Sequence, residues 1–211
     1  KYDQNDFEMI CNEVTDSNCL AIRVDDDRYS DWDSFAAYWK QAGSLITSAS
    51  GLGITSDDAT ADMLVANDLG VDVDIIASGG SGDNVTFLLN GTTDFLMGNV
   101  SEMVAAHNDG QFKILCVFAE ERDSNLPDVP TYEELTGNLV VGCSSRGYAM
   151  LKDVPDDIKQ ILGDAVKAAV QDPDLIEQLN AIYTTTDYKE GQEYVDYMNQ
   201  QQQQARETWG V

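Results

Sequence analysis

The chain is most constrained by two consecutive segments in which an apolar strand leads into a glycine- and serine-rich loop and then a helix. The predicted strands cover residues 45–48 and 73–77, and their loops cover residues 48–56 and 78–83. Glycine lets the backbone approach a ligand closely, and a helix that follows such a loop presents unpaired N–H groups with partial positive charge. Two such loops in one small domain predict a cradle for an anion.

Strands and helices alternate through the first part of the chain, with further strands predicted at residues 94–97 and 113–118. This alternation predicts an α/β fold with a mostly parallel sheet flanked by helices. In such sheets ligands bind beyond the carboxyl ends of the strands, which is where both loops fall.

Beyond about residue 140 the pattern changes to amphipathic helices. They begin near Pro155, at Asp172-Pro173 and near Glu190, and the last continues to Trp209. Amphipathic helices need a partner surface to cover their apolar faces. We therefore expect two domains: an α/β ligand-binding lobe over residues 1–140, and a crossover strand with C-terminal helices over residues 141–211.

The charge of the chain limits its partners. There are 38 acidic and 12 basic residues, a formal net charge of −26. Such a field repels nucleic-acid phosphates and anionic lipid surfaces, so we expect no nucleic-acid partner. An anion site in this chain must be built from backbone groups and hydroxyls rather than from a basic patch.

The first residues predict two strands, 8–14 and 19–24, joined by a polar turn at residues 15–18. Cys11 and Cys19 would face each other across that hairpin, so a disulfide between them is one reading and buried thiols are the other. Cys116 and Cys143 complete the set of four cysteines. No pair has the CxxC spacing, and a zinc site is not expected.

The sequence contains little that would support catalysis or metal binding. The Gly-x-Ser-x-Gly elbow is missing, and the single histidine, His107, falls at the end of a short predicted helix. The aspartates at residues 25–27 suggest a calcium-binding site, but Ser30 and Ala36 occupy the positions where an EF-hand needs glycine and glutamate. A looser cation site there stays open. We expect no enzymatic activity and no cofactor.

Taken in order, these segments resemble the periplasmic substrate-binding proteins of tripartite tricarboxylate transporters, the Bug family. Residues 126–134, LPDVPTYEE, are the most specific match, because LPDVPT-x-x-E is close to a family signature. Residues 47–56 resemble the family's Ser/Gly-rich loop, and residues 78–80 followed by 88–94 resemble its second glycine segment. The resemblance implies a periplasmic-binding-protein-like (type II) lobe.

The resemblance also implies capture of a small carboxylate, such as a dicarboxylate, a tricarboxylate or a related organic acid. Backbone N–H groups and hydroxyls suit this task because they bind a carboxylate by directed hydrogen bonds. Carried onto this chain, the ligand-binding residues would be Ser48, Ser50, Gly51, Gly53, Thr55, Ser78, Gly79 and Gly80, with Asn99 and Ser101 along the same edge. Arg146 and Arg122 could also hold a carboxylate or form surface ion pairs, and Arg146 is the better candidate because it lies near the expected crossover.

An extracytoplasmic location, periplasmic or lipid-anchored, and permease subunits as membrane partners are further implications. The first-lobe strand with which family members begin is not in this sequence, and no signal peptide is visible. We therefore expect a second lobe with C-terminal helices. The alternative function is a non-binding interaction domain of the same fold, which forms a homodimer through helix faces that the missing lobe leaves uncovered.

Overall fold

The computed structural model describes residues 6–53 and 55–211, which form two compact units. Unit 1 combines the residues up to Asp16 with Ser145–Gln204, and unit 2 combines Ser17–Ser144 with Ala205–Val211. The chain therefore returns to unit 1 at Ser145. The first residues belong with the C-terminal helices, and the last residues belong with the α/β unit.

One strand, β1 (Phe7–Arg23), runs through both units and replaces the two strands and turn expected there. The polar residues taken for a turn are held in extended conformation by partners. Asp16 lies 3.4 Å from the guanidinium of Arg146, and the N–H of Asn18 donates to the carbonyl of Gly142 over 2.8 Å. Polar residues with tertiary partners do not need a turn, and composition alone cannot reveal those partners.

The hairpin disulfide is wrong for the same reason. Cys11 and Cys19 lie eight residues apart on one extended strand, which separates them by roughly 26 Å, whereas a disulfide needs Cα atoms within about 7 Å. All four cysteines are thiols, and Cys11, Cys19 and Cys116 are buried.

Unit 2 holds most of the helices and strands. Its elements after β1 are α1 (Trp32–Ala42), β2 (Ser44–Ala49), α2 (Asp57–Leu69), β3 (Asp72–Ala77), α3 (Ser81–Leu89), β4 (Leu96–Asn99), α4 (Val100–Asn108), β5 (Phe112–Val117) and α5 (Tyr132–Thr136). β2 and β3 are parallel, while β4 and β5 flank β1 and run antiparallel to it. The α/β fold is confirmed, with β1 as a strand that runs against its neighbours.

The core of unit 2 is aromatic. Phe35 and Trp39 of α1 are fully buried and both pack against Phe95 at the start of β4. Trp32 is also buried and contacts Tyr132 of α5 edge to face. Trp32 and Trp39 therefore serve packing of the core.

Unit 1 is built on the first half of β1. Its remaining elements are β6 (Cys143–Leu151), which begins in unit 2, α6 (Asp156–Ala169), α7 (Pro173–Asn180), β7 (Thr186–Glu190) and α8 (Gly191–Trp209), which ends in unit 2. β6 and β7 both pair with β1. β7 was not predicted, because its polar sequence lacks the apolar alternation of a strand and its conformation depends on pairing with β1.

The helices of unit 1 cover only part of their apolar surface. Val166 and Val170 pack with Cys11 in a small core. Ile161 of α6, in contrast, is 68% exposed, and Ile182, in the turn after α7, is 60% exposed. Among the described residues, no helix has both the length and the apolar character needed to cross a membrane.

Candidate functional site

The two Gly/Ser loops lie together at one edge of unit 2. Because β2 and β3 are parallel, with Ala49 opposite Ala77, both strands end at the same level. The backbone N–H and the hydroxyl of Ser78 both donate to the carbonyl of Ala49, at 3.0 and 3.1 Å. Nδ2 of Asn84 donates to the hydroxyl of Ser50 over 3.2 Å. The structure thus joins the two loops, as expected for adjacent parallel strands.

The first loop turns at a glycine and ends in a helix cap. Gly53 has φ of +83°, a conformation that favours glycine, and its carbonyl accepts the N–H of Ser56 over 3.0 Å. The hydroxyl of Ser56 accepts the N–H of Ala59 over 3.2 Å and so caps α2. Thr55 and Ser50 are exposed. Their hydroxyls are therefore within reach of a solute.

Next to this loop is a group of four side chains, here called the amide–carboxylate cluster (Asn18, Asn99, Asp57 and Asp58). Asn18 of β1 stands opposite Asn99 of β4, and both amides point at the first turn of α2. Nδ2 of Asn18 lies 3.4 Å from Asp58 Oδ1 and 3.5 Å from Asp57 Oδ2, and Nδ2 of Asn99 lies 3.5 Å from the same Asp57 oxygen. The amides therefore hold two carboxylates at the N-terminus of α2.

The carboxyl group of Asp58 is buried close to other negative charges. It is 7% exposed, and burial, with help from Asp57 and Glu102, raises its pKa to about 7. A hydrogen bond from the backbone N–H of Ser50 acts in the other direction and lowers the pKa. Near neutral pH this side chain therefore changes between a protonated and a charged form.

The second loop is also closed by a carboxylate. The N–H of Gly79 donates to Asp83 Oδ2 over 3.0 Å, and Gly80, with φ of +151°, leads directly into α3. The carboxylate of Asp83 thus occupies the position that a bound anion would take at this loop.

The carboxylates change the expected character of the site. We expected backbone N–H groups that wait for a ligand anion, but Ser50 donates to Asp58 and Gly79 donates to Asp83. The amides of Asn18 and Asn99 likewise donate to Asp57. A ligand carboxylate at this edge must replace these internal carboxylates or bind beside them.

For three of the predicted binding residues, the structure differs from the predicted placement. Ser48 is fully buried, so its hydroxyl does not face a solute in this structure. Ser101, predicted to cap α4, lies inside the helix, whose cap residue is Asn99. Arg146 lies in unit 1, exposed and paired with Asp16. Gly51 lies in the first loop beside Ser56, as predicted.

The segment with the family signature has a structural role. The hydroxyl of Thr131 accepts the N–H of Glu134, whose carboxylate accepts the N–H of Thr131, which completes the predicted capping box of α5. Arg122 forms hydrogen bonds to both carboxylate oxygens of Glu134 and donates to the carbonyl of Pro127 over 3.0 Å. Arg122 is therefore engaged in fixing this loop and does not reach the Gly/Ser loops.

Two aspartates of the run at residues 25–27 form ion pairs, Asp25 with Arg23 and Asp26 with both Arg23 and Arg28. Arg28 binds Asp26 through both Nε and Nη2 and reaches Asp94 over 2.6 Å, and this contact with Arg28 holds the pKa of Asp26 down at about 2. Across residues 6–53 and 55–211, no group of three or more histidine, cysteine, aspartate or glutamate side chains is arranged to hold a metal ion.

His107 also has a structural partner. Its Nδ1 accepts the backbone N–H of Ile114 over 3.2 Å, which links α4 to β5. An imidazole that accepts at Nδ1 carries its proton on Nε2. This histidine therefore ties two elements together away from the loops.

A groove of about 420 Å³ in unit 2 lies between α1, the end of α2 and α5, with Trp32 and Leu135 among its lining residues. A second groove, of about 550 Å³, lies in unit 1 beside Lys159 and Tyr188. Neither includes the Gly/Ser loops, so neither coincides with the predicted site.

Sequence reasoning missed Asn18, Asp57, Asp58 and Asn84 at this edge. The sequence did contain a signal for Asp58. Asp58 and Asp62 are four residues apart and therefore share one face of the helix with Ala61 and Ala66 rather than with charged residues. Asn18 gave no signal, because its position depends on the continuous β1.

Comparison with known proteins identifies the family to which the chain is similar. A family model described as "Tripartite tricarboxylate transporter family receptor" matches residues 1–208. A curated protein of Agrobacterium vitis, the UPF0065 protein in the TAR-I ttuE-ttuC′ intergenic region, is 28% identical over 154 residues, which are 72% of this chain and 43% of that protein. This alignment thus spans less than half the length of the curated relative.

Two solved structures are similar over nearly the whole chain. A TctC solute-binding protein from Polaromonas is 25% identical with a TM-score of 0.80, covering 99% of this chain and 70% of that one. MatC from Rhodopseudomonas palustris with bound malate is 24% identical with a TM-score of 0.77, covering 96% of this chain and 68% of that one. The family match extends over almost every residue, and the chain therefore belongs to the tripartite tricarboxylate transporter receptor family, a family of solute-binding proteins rather than enzymes.

Proposed function

We propose that this chain captures a small organic acid outside the cytoplasmic membrane and presents it to the permease subunits of a tripartite tricarboxylate-type transporter. The observation that carries the proposal is the meeting of the two Gly/Ser loops at one edge of unit 2, within a chain of this receptor family. The malate in the similar MatC structure supports a carboxylate as the solute class.

The loops supply the chemistry for reversible capture. Ser50 and Thr55 expose hydroxyls beside the N-terminus of α2, where partial positive charge favours an anion. Hydrogen bonds from hydroxyls and backbone groups bind a carboxylate without a permanent opposite charge. A receptor that must release its solute to a membrane partner needs such moderate binding.

A thermal-shift titration with dicarboxylates, tricarboxylates and their hydroxy and amino derivatives tests the proposal. A solute that binds only the folded protein raises the melting temperature in proportion to the logarithm of its concentration. Ser50→Ala should weaken that shift, because it removes a hydroxyl from the first loop. Ser44→Ala is the matched control, since Ser44 lies at the other end of β2 and bonds to Asp74. The proposal fails if no acid in the panel raises the melting temperature.

Homodimerisation through exposed helix faces stays a prediction of the sequence. Its motivation is the exposure of Ile161 on α6 in unit 1. Sedimentation over a wide range of protein concentration measures it. A mass that does not change with concentration would contradict it.

A further inference from the structure

The end of α8 is fixed by a helix-ending motif and belongs to unit 2. Gly210 follows Trp209 with φ of +66°, and its N–H donates to the carbonyl of Glu207 over 3.3 Å. The N–H of Val211 donates to the carbonyl of Arg206 over 3.0 Å. These two bonds are the pair that defines a Schellman motif. The indole of Trp209 is therefore presented from an ordered helix end.

The half-buried indole of Trp209 reaches the first part of α2. Its Nε1–H donates to the hydroxyl oxygen of Thr60 over 3.1 Å, and Thr60 is 9% exposed. The two residues are 149 positions apart in the sequence, and both belong to unit 2. Folding therefore brings a distant tryptophan onto the helix that follows the first Gly/Ser loop.

The hydroxyl of Thr60 continues the hydrogen bonding to the loop. It donates to the carbonyl of Ser56 over 2.7 Å, and the backbone N–H of Thr60 donates to the same carbonyl over 3.0 Å. A hydroxyl that accepts one hydrogen bond is polarised and becomes a better donor in the next. Trp209, Thr60 and Ser56, here called the Trp209 relay, thus form one continuous series of hydrogen bonds.

Ser56 is the point at which the relay meets the first loop. Its hydroxyl accepts the N–H of Ala59 over 3.2 Å, and its own N–H donates to the carbonyl of Gly53 over 3.0 Å. The other end of the loop is held where Nδ2 of Asn84 donates to the hydroxyl of Ser50. Gly51 and Gly53 lie between these anchors, and glycine is conformationally free, so the shape of the loop depends on its two ends.

We infer that Trp209 is a positioning residue of the proposed solute site. Through Thr60 and Ser56 it holds the first loop in the conformation that exposes the hydroxyls of Ser50 and Thr55. The inference rests on the proposed function and adds to it a residue that lies outside both loops. A loop that is already held in its binding conformation loses less conformational entropy when the solute binds, so the solute binds more tightly.

Calorimetric titration of two single variants tests the inference, well below the melting temperature and with the acid that raises the melting temperature most. Trp209→Phe keeps an aromatic ring and removes the indole N–H, and it should weaken binding about three-fold. Thr60→Val keeps the side-chain shape and removes the hydroxyl, and it should weaken binding about five-fold, since it breaks both side-chain bonds of the relay. Thr60→Ser keeps the hydroxyl and should bind like the unchanged protein.

The double variant Trp209→Phe/Thr60→Val distinguishes the relay from two unrelated structural effects. If Trp209 acts through Thr60, the double variant should bind as tightly as Thr60→Val alone. Independent effects would multiply to about 15-fold, and this result would overturn the inference. Unchanged affinity in both single variants would also overturn it and leave the proposed function standing. Failure of every acid to bind the unchanged protein would remove both.

Hydrogen exchange of the peptides that cover residues 48–60 provides a readout without solute. Exchange there should be faster in Trp209→Phe and in Thr60→Val, because the end of the loop opens more often. Thr136→Val is the matched control, since the hydroxyl of Thr136 donates to the carbonyl of Tyr132 over 3.0 Å within α5. α5 bonds to α2 at Asp68, near its C-terminal end, so this variant should change neither affinity nor loop exchange. Unchanged loop exchange in both relay variants would contradict the inference.

Discussion

Asp58 and Asp62 are acidic residues in surroundings that favour the neutral form. Both lie on the buried face of α2, and burial is the main reason that their pKa values are raised. Asp26 shows the opposite case, since Arg28 lowers its pKa to about 2. The neighbours of a carboxyl group thus decide whether its pKa is raised or lowered.

The raised pKa of Asp58 predicts a loss of stability as pH rises. Its pKa of about 7 in the folded protein exceeds the ordinary aspartate value of 3.8, so the folded state binds the proton more tightly, and the stability that this proton contributes is lost between about pH 4 and pH 7. Asp58→Asn should reduce the loss between pH 5 and pH 8 by up to about 3 kcal/mol. Urea unfolding near pH 5 and pH 8 measures it. An unchanged difference between the two pH values would contradict the prediction. Asp109→Asn, which removes one charge from the exposed C-terminal end of α4, is the control.

His107→Ala should destabilise unit 2 without affecting solute binding. The substitution leaves the N–H of Ile114, a residue 3% exposed, without its acceptor, which costs about 1–2 kcal/mol. Chemical unfolding measures the loss, and His107→Gln, which keeps an acceptor, should recover part of it. A large loss of solute affinity would instead place His107 in the site.

At the scale of elements, helix caps decide where the functional loops end. Ser56 begins α2 at the first loop, and the Thr131–Glu134 capping box begins α5 within the family signature. Both caps follow sequence rules that need no tertiary information. α1 follows the same rules, because its cap is Asp31, whose side chain accepts the N–H of Ser34.

Thr131→Ala should lower the free energy of unfolding by about 1 kcal/mol, because the N-cap of α5 loses its acceptor for the N–H of Glu134. Thr131→Ser keeps the hydroxyl and should remain close to the unchanged protein. Urea unfolding of the three proteins provides the comparison. Equal stability of the alanine variant would mean that the capping box adds nothing to this short helix.

At the scale of the whole molecule, β1 is the strand on which each unit is built. Its first half pairs with β7 and its second half pairs with β4 and β5. Gly147 shows how closely β6 packs on β1, since a Cβ there would lie 2.4 Å from the carbonyl oxygen of Cys11. No side chain larger than hydrogen fits that position without displacing β1.

The continuous β1 predicts that the chain contains no disulfide. After unfolding in the absence of reductant, all four cysteines should react with an alkylating reagent, and the intact mass should show four modifications. Prior reduction should change nothing. Two modifications without reductant and four with it would show a disulfide and contradict the extended path between Cys11 and Cys19.

Local sequence was enough to predict the α/β class, the parallel β2–β3 pair with its two Gly/Ser loops and the capped helices. The hydrophobic period, the glycines and the capping residues act over a few positions, so they can be recognised from the sequence alone. The same reading placed the loops at the carboxyl ends of the strands, and the structure brings them together there.

Tertiary structure alone decided the path of β1, the strand β7 and the carboxylates within the predicted anion cradle. Asn18 meets Asp58 across 40 residues of chain, and Arg146 meets Asp16 across 130. Such contacts have no local signature, because the energy of a polar side chain depends on which partner the fold brings to it. The position of the two Gly/Ser loops therefore follows from the local sequence, whereas the polar partners that surround them include distant residues that folding brings together.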